Sequence, residues 1–328
     1  MRVLDLCRFA AVSMGVLFLT TFTWAQTPQT PESVRGSIRV VRQTSIQDVQ
    51  INESSGLAAS RRFAKNVWTH NDSGDTARVF LLDENGATRQ IISLSNAQAV
   101  DWEDIAIAGN ARNAQVYVGD IGDNERKRAS IQVYRFAESQ VRISQVRTSQ
   151  VRTSPVRTTQ VCTSSTRETQ NIVAQKKTLR YPDGAHDAET LIATARGEII
   201  IVAKEVGVCR IYKTAKPFAD NTTQTLVLVG RFQFAGDNLF ARLPTGGDLN
   251  AREDRVLVRT YADVYEWKLP RANGIIDWRK VWKTAPQRFA LPPTRQGEAI
   301  CYNADSSQFV VSSEGENAPL QWLEKVKS

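Results

Sequence analysis

A short acidic motif recurs along the chain, and this recurrence constrains the fold more than any other feature. Each copy leads into an aliphatic anchor residue, then a turn, then a second strand-like run that ends in polar residues. The copies are ESSGL (53–57), DWEDI (101–105), DAETL (187–191), GGDL (246–249) and QGEAI (296–300). Their anchors are separated by 48, 86, 58 and 51 residues. A regular repeat of this length indicates stacked copies of one structural unit.

The segments between the motifs have the pattern of short strands. Runs rich in Val, Ile, Tyr and Trp alternate with Gly, Asn and Asp turns, and no window has a sustained apolar period of 3.6. The longest interval falls to roughly 50 residues once a low-complexity insert is discounted, which is a length typical of propeller blades. We therefore expect an all-β fold, a single β-propeller with five blades of four strands. Six blades is the alternative, if residues 187–246 hide an irregular blade.

The last unit is too short for four strands, which predicts how the ring closes. Only about three strands fit between Gln296 and Ser328. The run IRVVRQTSI (38–46) is an unpaired strand near the N-terminus. Pairing this strand with the last unit completes a blade and leaves no open edge.

A five-residue repeat interrupts the second unit. Residues 141–165 read VRISQ VRTSQ VRTSP VRTTQ VCTSS, with one Val per unit and almost no other large apolar side chain. A period of five matches neither a strand nor a helical face. Such a segment buries too little surface to offset the entropy of ordering it, so we expect a disordered insert at about 139–172.

The first 25 residues predict export. A charged start precedes an apolar run from Phe9 to Phe22 and the small-x-small sequence Thr23-Trp24-Ala25, a pattern typical of a cleaved signal peptide. We expect residues 1–25 to be removed, 26–36 to be disordered and 37–328 to form the propeller. The mature protein is expected to be secreted or periplasmic, monomeric and without a transmembrane segment.

Charge and cysteine content exclude two classes of protein. The net charge is +8, but residues 1–25 contribute +1 and residues 141–170 contribute +4, so the folded body is close to neutral. Nucleic-acid binding is therefore not expected. The mature chain keeps Cys162, Cys209 and Cys301, too few for a disulfide-stapled scaffold. Buried thiols are favoured at Cys209 and Cys301, with a disulfide between them as the alternative.

The repeat gathers carboxylates at one mouth of the central channel. Each motif lies at the entry of the innermost strand of its unit, and the matching exit follows 14 or 15 residues after the anchor in four of the five units. Converging carboxylates repel one another unless a cation compensates. The predicted metal ligands are Asp72, Glu103, Glu189, Asp248, Glu298 and Glu314, and the wider set at this mouth includes Asp101, Asp104, Asp123 and Asp187.

Oxygen ligands of this kind favour Ca²⁺, with Mg²⁺ or Mn²⁺ less suited. The chain has only two histidines, His70 and His186, which makes a zinc site of the usual type improbable. The alternative is that the carboxylates accept backbone N–H bonds and cap turns without any metal. For catalysis we consider Asp120 or Glu205 as the base, with Lys204 and Arg259 facing an anionic substrate group.

The motifs together resemble those of a group of secreted bacterial β-propellers. The resemblance rests on ESSGLAAS with WTHNDSGD, DWEDIAIA with VYVGDIGDN, YPDGAHDAETL, PTGGDLN with VLVRTY, and QGEAI with SSEG. These motifs are more distantly similar to those of regulator-associated, esterase-like, phytase-like and gluconolactonase-like propellers. The last two groups hold Ca²⁺ with acidic channel residues, so the resemblance implies the same here.

Two functions remain in competition on the sequence alone. The first is a binding or scaffold module with an acidic, possibly calcium-binding channel, whose partner is a small molecule, a glycan or an envelope protein. The second is a metal-dependent hydrolase of lactonase or phosphoesterase type acting at the channel mouth. The hydrogen bonds of Glu103, Glu189 and Glu298 discriminate between capping carboxylates and carboxylates that are free to bind a cation.

Overall fold

The structure is a computed structural model that describes residues 30–143 and 168–326. The predicted signal peptide, most of the repeat insert and Cys162 lie outside the described residues. The expectations about them stay predictions.

Strands dominate the fold, as the β-branched and aromatic runs predict. The strands β1 to β24 are, in chain order, Val34–Gly36, Ile38–Ser45, Ser54–Ala59, Val67–Asn71, Arg78–Leu82, Thr88–Leu94, Trp102–Ala108, Gln115–Asp120, Ile131–Ala137, Gln170–Ile172, Gln175–Arg180, Ala188–Ala193, Ile199–Ala203, Val208–Thr214, Thr222–Gln233, Pro244–Leu249, Arg255–Thr260, Asp263–Lys268, Arg271–Ala272, Ile275–Ile276, Gln287–Ala290, Ile300–Tyr302, Gln308–Val311 and Pro319–Lys325. The described residues contain one short α-helix, α1 (Trp278–Val281), and two 3₁₀ turns, Glu138–Gln140 and Phe240–Arg242.

Most of the strands fall into antiparallel groups of four. The groups are β3-β4-β5-β6, β7-β8-β9-β11, β12-β13-β14-β15, β16-β17-β18-β21 and β22-β23-β24-β2. The second and third groups join into one eight-stranded sheet through parallel pairing of β11 with β15. Short parallel strands extend two other groups, β10 beside β6 and β1 beside β21.

The first strand of each group, which we call an inner strand, lies at the centre of the molecule. The inner strands are β3, β7, β12, β16 and β22, and each contacts the next around a ring that closes from β22 back to β3. Every residue of these strands is buried. Apolar clusters fill the space between neighbouring groups, such as Ala58, Trp68, Trp102 and Ile105 between the first two. The fold is therefore all-β and propeller-like.

The N-terminal strand pairs with the C-terminal strand. β2 runs antiparallel to β24 from Ile38–Lys325 to Ser45–Pro319, so the fourth strand of the last group comes from the start of the chain, as the sequence predicts. The expectation that residues 26–36 are disordered is wrong for its last part. Val34–Gly36 forms β1 and pairs with Gln287–Phe289 of β21, because the exposed edge of that group offers free backbone partners.

The predicted insert is shorter than expected at both ends. Glu138–Gln140 forms a turn and Gln170–Ile172 forms β10, which pairs with Ile92–Leu94. The Gln170 side chain accepts from Arg142 N at 3.0 Å and donates to the Gln140 carbonyl at 2.7 Å. The two ends of the insert therefore lie together, between the third and fourth strands of the second group.

No helix in the described part of the chain is long and apolar enough to cross a membrane. Cys209 and Cys301 are both buried free thiols, as favoured, and the alternative disulfide does not form.

Candidate functional site: an acidic channel mouth

Equivalent β-bulges mark the start of four inner strands. The register shifts at Ser55 in β3, Glu103 in β7, Glu189 in β12 and Thr245 in β16, and Glu298 holds the matching position two residues before β22. A bulge re-aims its side chain out of the ladder. Three of the five positions thereby place a glutamate at the same end of the ring.

The hydroxyl residues at the other two positions serve the structure. Ser55 Oγ donates to the Glu103 carbonyl at 2.7 Å, and Thr245 Oγ1 donates to the Glu298 carbonyl at 3.3 Å. Each hydroxyl therefore ties its inner strand to the backbone of the next unit. This fixes the backbone from which Glu103 and Glu298 project.

Seven carboxylates and one lysine form the site, which we call the acidic mouth. Asp72, Asp101 and Glu103 each place an oxygen within 4.8 Å of the others. Glu189, Asp187, Glu298 and Glu314 act electrostatically on this group or on one another. Lys204 Nζ bonds to Glu189 Oε1, and Tyr261 OH donates to Glu298 Oε1 at 2.9 Å. The mouth therefore carries a large excess of negative charge.

The electrostatics of the mouth show the cost of this crowding. Burial, with added repulsion from Glu189 and Asp72, raises the pKa of Glu103 well above its usual range. Burial and the neighbouring Glu298 raise the pKa of Glu314 to about 8. Burial, with Glu298 and Asp101 adding to it, raises the pKa of Asp72 to about 6. The carboxylates would hold protons unless a cation replaced them.

The three glutamates spend no hydrogen bond on the backbone. Within the described residues, no backbone N–H donates to the side chain of Glu103, Glu189 or Glu298, while neighbouring aspartates do cap. Asp123 accepts from Lys127 N and Arg128 N, at 2.9 and 2.8 Å, and Asp187 Oδ1 accepts from Asp123 N at 2.9 Å. The capping interpretation therefore holds for the aspartates and fails for the glutamates.

Two further observations fit a cation at the mouth. Glu189 Oε2 is buried and has no hydrogen-bond partner among the described residues, although a buried carboxylate oxygen normally has one. A Cβ at Gly122 would collide with Glu103 Oε1 and Asp101 Oδ2. The backbone at Gly122 is therefore packed directly against the carboxylates, as a close cradle for an ion requires.

Asp248 does not lie with the other predicted ligands. The fourth unit is aligned by its bulge at Thr245, so its anchor is Gly247 and not Leu249. Asp248 instead lies fully inside the ring, where it accepts from Leu249 N at 2.8 Å and Tyr302 N at 2.9 Å. Its assignment as a metal ligand has no support in this geometry, because both oxygens are already used to join two inner strands.

Asp104 has the same role one unit earlier. Its carboxylate accepts from Ile105 N, Leu191 N and Gly247 N, at 2.8, 2.9 and 3.2 Å. One side chain thereby connects the inner strands β7, β12 and β16.

The two residues considered as bases are held in ion pairs. Asp120 Oδ1 accepts from Asp101 N at 3.0 Å and lies 2.9 Å from Arg128 Nη1. Glu205 pairs with Arg210 and lies 3.1 Å from His186 Nδ1. His70 is buried, with Nδ1 bonded to the Asn71 carbonyl at 2.7 Å, and burial lowers its pKa to about 4.

The two predicted cations differ in their placement. Lys204 lies at the mouth, and its contact with Glu189 raises its pKa against the opposing effect of burial. Arg259 is fully buried and donates to the Ala299 and Ser312 carbonyls at 2.7 and 2.9 Å. A guanidinium used in this way joins two strands and does not face a ligand.

Tyr261 is the residue at the mouth that the sequence does not single out. It follows the corrected anchor Gly247 by 14 residues, the interval that separates anchor from exit in other units. The signal was present, but the Leu249 alignment placed Arg259 at this position.

Comparisons with known proteins give one distant structural similarity. No family model matches the chain, and no curated protein matches it. A solved structure of a glutaminyl cyclase from Myxococcus xanthus is similar over 90% of this chain and 100% of that chain, with 11% sequence identity and a TM-score of 0.45. The motif resemblance to other propeller groups is named by none of these comparisons and stays a prediction.

Proposed function

We propose that this protein is an exported five-bladed propeller that binds a hard divalent cation, Ca²⁺ foremost, at the acidic mouth and uses it to hold an oxygen-rich ligand. The five antiparallel groups around one ring support the blade count. Glu103, Asp72 and Asp101 hold the cation, and Glu189 and Glu298 complete the carboxylate shell. The ligand class is a small molecule or glycan whose oxygens fill the remaining coordination positions.

The observation that carries this proposal is the absence of backbone hydrogen bonds to the three glutamates in the described residues. A carboxylate that caps a turn is satisfied by N–H donors, whereas these oxygens face one another across the mouth. Repulsion among them is unfavourable for folding unless an ion compensates. A divalent cation with six to eight oxygen ligands answers this arrangement.

Glu103→Gln tests the cation. We expect Ca²⁺ to raise the melting temperature of the wild-type protein in a saturable way and the variant to lose most of this increase, because a neutral amide replaces a central ligand. Glu84→Gln is the matched control, since Glu84 is a surface residue paired with Arg42 and Lys65. Elemental analysis and a calcium titration followed by differential scanning fluorimetry give the readout.

Two results would contradict the proposal. One is a purified wild-type protein that holds no metal and shows no stabilisation by Ca²⁺, Mg²⁺ or Mn²⁺. The other is a Glu103→Gln protein that is stabilised as strongly as Glu84→Gln.

A metal-dependent hydrolase is the second candidate, favoured by Lys204 and Tyr261 at the same mouth. Lys204 Nζ can hold an anionic substrate oxygen, and Tyr261 OH can donate a hydrogen bond. The bound metal would supply a polarised carbonyl or phosphoryl oxygen. A panel of lactones, phosphoesters and carboxylesters tests this, with Lys204→Ala expected to abolish any turnover. The absence of turnover of every substrate by calcium-loaded protein would leave the binding function alone.

A further inference from the structure

A second cavity lies at the opposite end of the ring. It has a volume of about 250 Å³ and is lined by the C-terminal ends of β7, β12 and β16 and by the turns that follow them. Glu103 and Glu189 lie at the beginning of the same strands. The cavity and the acidic mouth are therefore the two ends of one channel.

Arg61 lies against this cavity with most of its hydrogen-bonding capacity unused. The residue follows β3 directly, and Nη1 donates only to the Ala59 carbonyl at 3.3 Å. Nε is buried and has no partner among the described residues. Burying a polar N–H without an acceptor is unfavourable, so this donor lacks an acceptor that a ligand could supply.

The backbone around Arg61 is held rigidly. Buried Glu138 accepts from Arg61 N at 3.2 Å, from Arg62 N at 3.0 Å and from Trp68 Nε1 at 2.9 Å. Ser60 Oγ donates to the same carboxylate at 2.5 Å. The guanidinium is thus presented from a fixed loop, which lowers the entropy cost of binding.

Neutralising a buried carboxylate does not by itself account for Arg61. Asp248 feels its charge, since Arg61 opposes the effect of burial on the Asp248 pKa. Both Asp248 oxygens nevertheless already accept backbone N–H bonds, and Arg61 forms no ion pair with a described residue. The planar donor fork is left for another acceptor.

We propose that this cavity is a binding site for a small oxyanion, a phosphate, sulfate or carboxylate group, held by the Arg61 fork with Arg252 at the rim. Guanidinium matches these groups through paired N–H bonds. Arg252 lines the same cavity and is exposed. Glu253, the one carboxylate of the lining, is turned to Ala195 N at 2.5 Å. The volume admits a small anion and little more.

Isothermal titration calorimetry with sodium phosphate, sulfate and acetate tests the site, with EDTA present so that no metal occupies the acidic mouth. We expect saturable binding of at least one anion to the wild-type protein and a dissociation constant at least tenfold weaker in Arg61→Gln. Arg112→Gln is the matched control, since Arg112 is exposed in the neighbouring β7–β8 turn and does not line the cavity. Preference for acetate identifies a carboxylate ligand, and preference for phosphate or sulfate a tetrahedral one.

Arg61→Lys guards against a variant that fails to fold, because it keeps the charge beside Asp248 and loses the planar fork. We expect it to bind the anion several-fold more weakly while its calcium titration stays that of the wild type. Unchanged anion affinity in either Arg61 variant overturns the proposal, as does a wild-type protein that binds none of the three anions. The calcium titration is independent, so failure here leaves the proposed cation function standing.

Discussion

At the scale of single residues, neighbouring carboxylates with similar sequence contexts have opposite roles. Glu103 and Asp104 are adjacent, yet the bulge turns the first to the acidic mouth and the second into the ring, where it accepts three backbone N–H bonds. The motif alignment predicted Glu103, Glu189 and Glu298 as equivalent, and their placement agrees. It could not separate Asp248 from them, because strand bulges shift the register by one residue and leave no mark in a spacing count.

Gly122→Ala should weaken calcium binding at least tenfold while the protein still folds. The added methyl meets only the ends of the Glu103 and Asp101 side chains, which can rotate away, but rotation removes them from the cation. Calcium titration by calorimetry measures the affinity, and circular dichroism checks the fold. A folded variant with wild-type calcium affinity would move the cation site away from Glu103.

Asp248→Asn should reduce the pH dependence of stability. Burial raises the pKa of Asp248 to about 7 in the folded state, above the unfolded value near 3.9. A raised carboxyl pKa means that the folded state binds the proton more tightly, so the Asp248 contribution favours folding at low pH and is lost as pH rises from about 4 through 7. The charged and titratable groups that face it are Arg61, Asp104 and Cys301.

Urea unfolding from pH 5 to pH 8 tests this expectation. The variant should lose less free energy of unfolding over this range than the wild type. It should also be less stable at pH 5 by about 1–3 kcal/mol, because its amide group faces a backbone N–H that the carboxyl accepted. Parallel pH profiles for the two proteins would show that Asp248 does not titrate in this range.

At the scale of elements, the repeat predicted the order of strands and missed the short parallel additions. β1 and β10 each hold three residues, and neither has an alternating pattern that a sequence reading could detect. They form because an edge strand offers unpaired backbone groups to any nearby segment. The disorder boundaries drawn at 36 and 172 were wrong for this reason.

Replacing residues 144–167 with a short Gly-Ser linker should leave the melting temperature almost unchanged. The flanking ends already meet through the Gln170 side chain, and a shorter loop costs less entropy to close. Differential scanning fluorimetry measures the change, and Gln170→Ala in the shortened protein checks the anchoring contact. A large loss of stability would show that the repeat packs on the folded body.

At the scale of the whole molecule, the spacing of the motifs was sufficient to predict an all-β ring with its N-terminal strand in the last group. The chemistry was less predictable, because it depends on which donors each carboxylate meets. Arg61 illustrates this, since nothing in the sequence distinguishes it from Arg62 beside it. Only the fold places one against the channel and the other on the Glu138 carbonyl.

The pairing of β2 with β24 has a consequence for the timing of folding. Arg39 bonds to Glu324 across 285 residues of chain, so the last sheet cannot form until the C-terminal strand has emerged. Contacts at such separation slow folding, because a long loop must close before they form. A chain threaded N-terminus first through an export channel would therefore keep its first strand unpaired throughout transit and complete its ring only after release.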